Sequence, residues 1–118
     1  MSTEWSDRIQ IADLADEPEL SNELQSLAEA AANSGPARDV VLNFGGVSYL
    51  NSSNIAQLLR LRATLGERGR RLRLCSVGDQ VWSVMLLTGL DKVFVFAPDP
   101  ATAIASLQIE IEETEAGA

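Results

Sequence analysis

Residues 40–65 constrain the architecture of this chain more than any other stretch. Val40-Val41-Leu42-Asn43-Phe44 is a compact apolar run rich in β-branched and aromatic residues, the composition of a buried strand. Beyond Gly45-Gly46, where a bulge or sharp turn is expected, Ile55, Leu58, Leu59 and Leu65 recur at helical spacing. The link between them, Tyr49-Leu50-Asn51-Ser52-Ser53-Asn54-Ile55, therefore joins a strand end to a helix start. Such a junction collects the orphan amide donors and the positive dipole end of the helix. Asn and Ser are strong N-cap residues, so one reading of Asn51 to Asn54 is a plain cap. The other is a site for phosphate chemistry, because the helix end tolerates an added anion.

The alternation continues on both sides. Arg8 to Ala12 is a short strand candidate with Ile9 and Ile11 on one face, and Asp13 to Glu17 is an acidic turn. Pro18 suits the first turn of a helix whose stripe is Leu20, Leu24, Leu27 and Ala31. Asn33-Ser34-Gly35-Pro36 ends that helix, with Gly35 of C-cap type. The second helix runs from Ser52 or Ser53 to Glu67 and is closed by Gly66 or Gly69. Arg70 to Val77 is the next strand, with Leu72 and Leu74 on one face and Arg71, Arg73 and Cys75 on the other. Asp79 is the expected N-cap of a third helix, nearly apolar all round, that Gly89 closes. Val93 to Phe96 is the last strand, and Asp99-Pro100 opens a final helix that turns Ala103, Ile104 and Leu107 to the core. Residues 8–109 form one domain, and the acidic tail of residues 110–118 is expected to fray. This order favours an α/β fold with a mostly parallel sheet and right-handed crossovers.

Composition removes several function classes. A net charge of −8 argues against nucleic acid or an anionic membrane as partner. The acidic, polar N-terminus is not a signal peptide, and no apolar run approaches the ~20 residues of a membrane helix. With one cysteine, Cys75, in an apolar run, and no export signal, the expected location is cytoplasmic. There is no histidine, hence no zinc constellation and no Ser-His or Cys-His pair. The expectation is a non-enzymatic protein with no cofactor of its own.

Three segments resemble the STAS domain of bacterial anti-sigma factor antagonists. They are Val40 to Leu59, Leu87-Thr88-Gly89-Leu90-Asp91-Lys92-Val93-Phe94, and Asp13-Leu14-Ala15-Asp16-Glu17-Pro18-Glu19-Leu20. The resemblance spans residues 8 to 107 and implies a four- to five-stranded sheet with about four helices packed mainly on one face. It further implies a regulator that captures an anti-sigma factor which is also a serine protein kinase. That kinase, carrying ATP and magnesium, would phosphorylate a serine at the start of the second helix and so end the capture. By position this is Ser52, with Ser53 the secondary candidate, and Asp13 matches an acidic residue of the early strand. Asn51 replaces the family's aspartate, Asn54 its usual glycine, and Asn43 an acid common in the preceding strand. The family's first strand is shortened or missing.

The resemblance also marks a partner-binding set: Asp13, Asn51, Ser52, Ser53 and Asn54, joined by Trp82 and Met85, which are either core or an exposed contact patch. Arg60, Arg62, Arg68, Arg70, Arg71 and Arg73 are six of the nine cations, and read as a solvated edge or as a docking patch for an acidic partner. Two rival functions are a small-ligand or nucleotide-binding STAS module and a scaffold subunit of a signalling assembly, both without phosphorylation. The oligomeric state is left open.

Overall fold

The computed structural model describes residues 2–4, 8–33, 35 and 37–116, with side chains described for residues 8–113 of that set. Among these residues five strands form one sheet in sequence order: β1 (Ser2–Glu4), β2 (Ile9–Ala15), β3 (Asp39–Gly46), β4 (Leu72–Cys75) and β5 (Val95–Ala97). β1 runs antiparallel to β2, and the other pairs are parallel. The early strand expected to be shortened or missing is thus present as the three residues of β1. Among the described residues four α-helices follow β2, β3, β4 and β5 in turn: α1 (Glu19–Ala32), α2 (Ser52–Glu67), α3 (Asp79–Thr88) and α4 (Pro100–Ala116).

Parallel neighbours joined by right-handed crossovers in one direction put every connecting helix on the same face. The larger core obeys this. Val40, Leu42, Phe44, Leu72 and Leu74 pack with Leu20, Leu24 and Leu27 of α1, Leu58, Leu61 and Leu65 of α2, and Val81 and Met85 of α3. α4, which follows β5 at the edge of the sheet, covers the other face, setting Ala103, Ile104 and Leu107 against Ile9, Val41 and Cys75. Val40 and Val41 therefore belong to different cores, as the period-2 alternation of a two-sided sheet demands. Ile9 and Ile11 share the α4 side, as their spacing predicts.

Element ends differ from expectation for identifiable reasons. Asp13 to Ala15 continue β2 instead of turning. Pro18 occupies the N-cap position of α1, one residue before the first turn. Asn33, not Gly35, is the C-cap of α1, and Ser34 and Pro36 lie outside the described residues. α2 closes at Gly69, whose φ is +68°; Gly69 and Arg70 donate back to the carbonyls of Gly66 and Leu65 at 3.0 and 2.8 Å. β4 stops at Cys75 because Ser76 takes a left-handed φ of 58°. Asp79 is the first residue of α3, and Gly78 before it is the N-cap. β5 starts two residues late, because Val93 and Phe94 donate to the Leu90 carbonyl in a short 3-10 turn. Asp99 caps α4 through a 2.7 Å bond from Thr102 N–H. α4 runs through the acidic stretch as far as Ala116, and Gly117 and Ala118 lie outside the described residues.

A charged network holds α4 to the sheet. Asp39 is fully buried and accepts Arg71 N–H at 2.7 Å, while Arg71 Nε donates to Glu110 at 2.8 Å. Arg73, also buried, pairs with the same carboxylate and donates to Ser106 Oγ at 3.2 Å. Among the described residues, no helix is long and apolar enough to cross a membrane.

Candidate functional site

The site lies at the carboxyl rim of the parallel strands, where β2 leads to Asp16 and Glu17, β3 leads to α2, and β4 leads to α3. β2 and β3 approach closely there. Their register shifts between Asp13 and Ala15, and a Cβ on Gly46 would stand 2.8 Å from the Leu14 carbonyl oxygen. Only glycine allows this approach, which is the bulge that Gly45-Gly46 signals. Asn43 then bridges the rim, donating to Asp13 Oδ1 at 2.9 Å and accepting Gly45 N–H at 3.0 Å. Ser48 donates N–H and Oγ–H to the two oxygens of Asp16 at 2.8 and 2.7 Å. These bonds, the hydroxyl's foremost, hold the Asp16 carboxyl below its ordinary pKa.

The cap of α2 is made by the two asparagines and not by the serines. Asn51 is the N-cap of α2; its side chain accepts Asn54 N–H at 2.8 Å, and Asn54 Oδ1 accepts Asn51 N–H at 3.1 Å. This is a capping box with asparagine in both places. Ser52 and Ser53 are the first two helical residues, both exposed, and neither hydroxyl has a hydrogen-bond partner among the described residues. Capping therefore does not consume them.

Asn54 is placed differently from its expected role in direct partner contact. It is fully buried, because its amide turns inward and donates to Glu17 Oε2 at 3.2 Å, Ser21 Oγ at 3.4 Å and Gln57 Oε1 at 3.4 Å. Glu17 in turn accepts Ser21 N–H at 2.7 Å and the Ser21 hydroxyl; that hydroxyl is the main cause of its lowered pKa. Gln57 closes the group by donating to the Ser21 carbonyl at 3.1 Å. Asn54 thus joins the start of α2 to the start of α1 and presents nothing to a partner.

Met85 is likewise buried in the larger core, so the contact-patch alternative applies to Trp82 alone. Trp82 is 36% exposed and meets Phe96 edge to face, with ring centroids 5.1 Å apart. Leu86 and Leu87 extend the exposed apolar surface of α3. Asp13 is exposed at the rim, and topology brings it and Trp82 to the same end of the sheet as the serines. Sequence reasoning placed Asp16 and Glu17 in an acidic turn without their bonds to Ser48, Ser21 and Asn54, and it missed Ser21, Ser48 and Gln57. The one available signal was the spacing of Asn51 and Asn54, which is that of a capping box. Among the described residues no group of His, Cys, Asp and Glu is arranged to hold a metal ion.

Comparison with known proteins agrees with this architecture. None of the curated proteins matches the sequence. A STAS domain protein from Planctomyces limnophilus, described as an anti-sigma-factor antagonist, superposes with a TM-score of 0.77 at 21% identity, over 92% of this chain and 97% of its own. A putative anti-sigma factor antagonist from Thermotoga maritima gives 0.78 at 15% identity, covering 92% and 93%. The phosphorylated form of the Bacillus cell fate determinant SpoIIAA gives 0.70 at 17% identity, covering 90% and 96%. Identities this low speak for the fold alone. The sequence itself goes further, since residues 10–97 match the family described as "Mlab, STAS domain". That match takes in the rim, the capping box and the whole of the larger core, and on it the chain belongs to the STAS domain family.

Proposed function

We propose that this protein is an anti-sigma factor antagonist-like regulator, without catalytic activity, that binds an anti-sigma factor and is released when Ser52 is phosphorylated. The observation that carries this is the spare Ser52 hydroxyl, exposed at the first position of α2 while Asn51 and Asn54 perform the capping. A partner kinase would supply ATP and magnesium. Ser52 Oγ attacks the γ-phosphorus, a new O–P bond forms, the bond to the ADP oxygen breaks, and the hydroxyl proton passes to a base on the kinase. The added charge of about −1.5 to −2 is tolerated by the positive helix end. On a partner surface shaped for a neutral hydroxyl, the same dianion is desolvated and costs several kcal/mol. Ser53, one position on, is the secondary acceptor. Asp13, Asn51 and Trp82 would frame the contact, in a cytoplasmic setting.

Mass spectrometry of the protein isolated from its native cells tests the assignment. Phosphate on Ser52 is the expected result, and phosphate on neither serine overturns it.

A second reading is a STAS subunit that stays docked in a larger assembly without phosphorylation. It is favoured by Asn51, which stands where the antagonist resemblance places an aspartate. A partner complex equally tight for wild type and Ser52→Asp would select this reading over the first.

A further inference from the structure

At the opposite end of the sheet, the C-terminal part of α2, the start of β4 and residues 93–95 enclose an open groove of about 210 Å³. Arg62, Gly66 and Arg70 line it together with Leu72, Phe94 and Val95, which supply its apolar surface. Gly66 lies fourteen residues along α2 from Ser52, about 21 Å at 1.5 Å per residue. The groove is thus spatially separate from the proposed phosphorylation site.

Its arginines divide into two kinds. Arg71 and Arg73 also line it, but their charge is answered by Asp39 and Glu110. Arg62 and Arg70 have no ion-pair partner among the described residues. Arg62 is held in place all the same, since its Nε donates to the Val93 carbonyl at 3.1 Å, which leaves the terminal guanidinium nitrogens for an incoming acceptor. In a chain with seventeen acidic and nine basic residues, two guanidiniums without an ion-pair partner among the described residues, that of Arg62 oriented, form a local inversion of charge beside an apolar floor. Such a surface complements a carboxylate-bearing segment that also carries aliphatic side chains. The volume lies below the roughly 300–1,000 Å³ of ordinary small-molecule pockets, and Val95, half exposed on the edge strand β5, extends the apolar floor to the sheet edge.

We propose that this groove is a second docking surface, which takes an acidic, partly aliphatic peptide segment of a partner protein. Arg62 and Arg70 grip its carboxylates, and Leu72, Phe94 and Val95 receive its apolar side chains. This surface works independently of the state of Ser52.

The test is fluorescence anisotropy with a fluorescein-labelled peptide of alternating glutamate and leucine, against a control peptide with lysine in place of glutamate. The expected result is saturable, salt-sensitive binding of the acidic peptide alone, weakened tenfold or more in Arg62→Glu and Arg70→Glu and by less than twofold in Arg60→Glu, which lies outside the groove. Arg62→Gln and Arg70→Gln serve where a charge reversal fails to fold, with losses of threefold or more expected. Amide NMR shifts on adding the peptide should fall on Gly66, Leu72 and Val95 and leave Ser52 and Ser53 unmoved. Absence of binding, equal losses in Arg60→Glu, shifts centred on the serines, or displacement of the peptide by ATP would each overturn the proposal.

Discussion

Asn51 and Asn54 hold each other across the first turn of α2, each side chain accepting the other's backbone N–H, at 2.8 and 3.1 Å. Asn54 carries the greater burden, because its amide also reaches Glu17 and Ser21 at the start of α1. Asn54→Ala removes half of the box, empties a fully buried position and leaves Glu17, Ser21 and Gln57 short of a donor. It should lower unfolding free energy by about 1–3 kcal/mol, measured by urea denaturation. Asn51→Ala, which loses the cap alone, should cost about 1 kcal/mol.

Ser52→Asp separates binding from folding. The new carboxylate sits in the first turn of α2, where the dipole contributes about 0.3–1 kcal/mol in its favour. Unfolding free energy should hold or rise within that range, while affinity for the partner falls tenfold or more, about 1.4 kcal/mol. Calorimetry of the isolated protein and titration with the partner check the two halves separately.

Two glycines should respond in opposite directions. Gly46→Ala drives a methyl group to 2.8 Å from the Leu14 carbonyl, a backbone atom that yields only if β2 and β3 separate. A loss of about 1–3 kcal/mol is expected. Gly66→Ala meets nothing within 4 Å inside α2 and should add about 0.5–1 kcal/mol. Thermal unfolding of the two variants side by side gives the comparison.

Glu110 answers a cation that solvent does not. The Arg73 side chain is 5% exposed and that of Glu110 46%. Glu110→Gln therefore strands a buried guanidinium, at a cost of about 1–3 kcal/mol after allowance for screening at the half-exposed partner. Hydrogen exchange should show the loss first in the amides of α4.

Acid should loosen the rim. Hydrogen bonds from Ser48, Ser21 and Thr102 hold the carboxyls of Asp16, Glu17 and Asp99 below their ordinary pKa values. A group whose pKa is depressed on folding stabilises the protein above its unfolded value, and that contribution vanishes as pH falls through the folded one. The urea midpoint should accordingly drop as pH falls through the carboxylate range, from about 5 to 3. Ser48→Ala, which removes the largest influence on Asp16, should flatten that decline.

The parts of this structure written in local pattern were legible in the sequence. The stripe Leu20, Leu24, Leu27 and Ala31 is buried as spaced, and Val40 to Phe44 is the central strand because its apolar residues serve two cores at once. The site was legible in position only. That Asn54 turns inward depends on Glu17 and Ser21, 37 and 33 residues away, and no local pattern encodes that meeting. Strand ends were misplaced for a related reason, since Val93 and Phe94 carry strand-like side chains while their amides are drawn into the turn at Leu90. Met85 and Trp82 look equivalent on paper, yet only the packing against the sheet decides which one is covered.

The strands lie side by side in the order in which they are made. During synthesis each new strand can therefore pair with the one just before it, and the sheet grows at a single advancing edge without waiting for a distant segment. The face bearing Ile9, Val41 and Cys75 is the exception. Its cover comes only with α4, so a nascent chain stopped before residue 100 exposes an apolar sheet surface that the finished protein hides. The last helix is where this chain passes from aggregation-prone intermediate to sealed product.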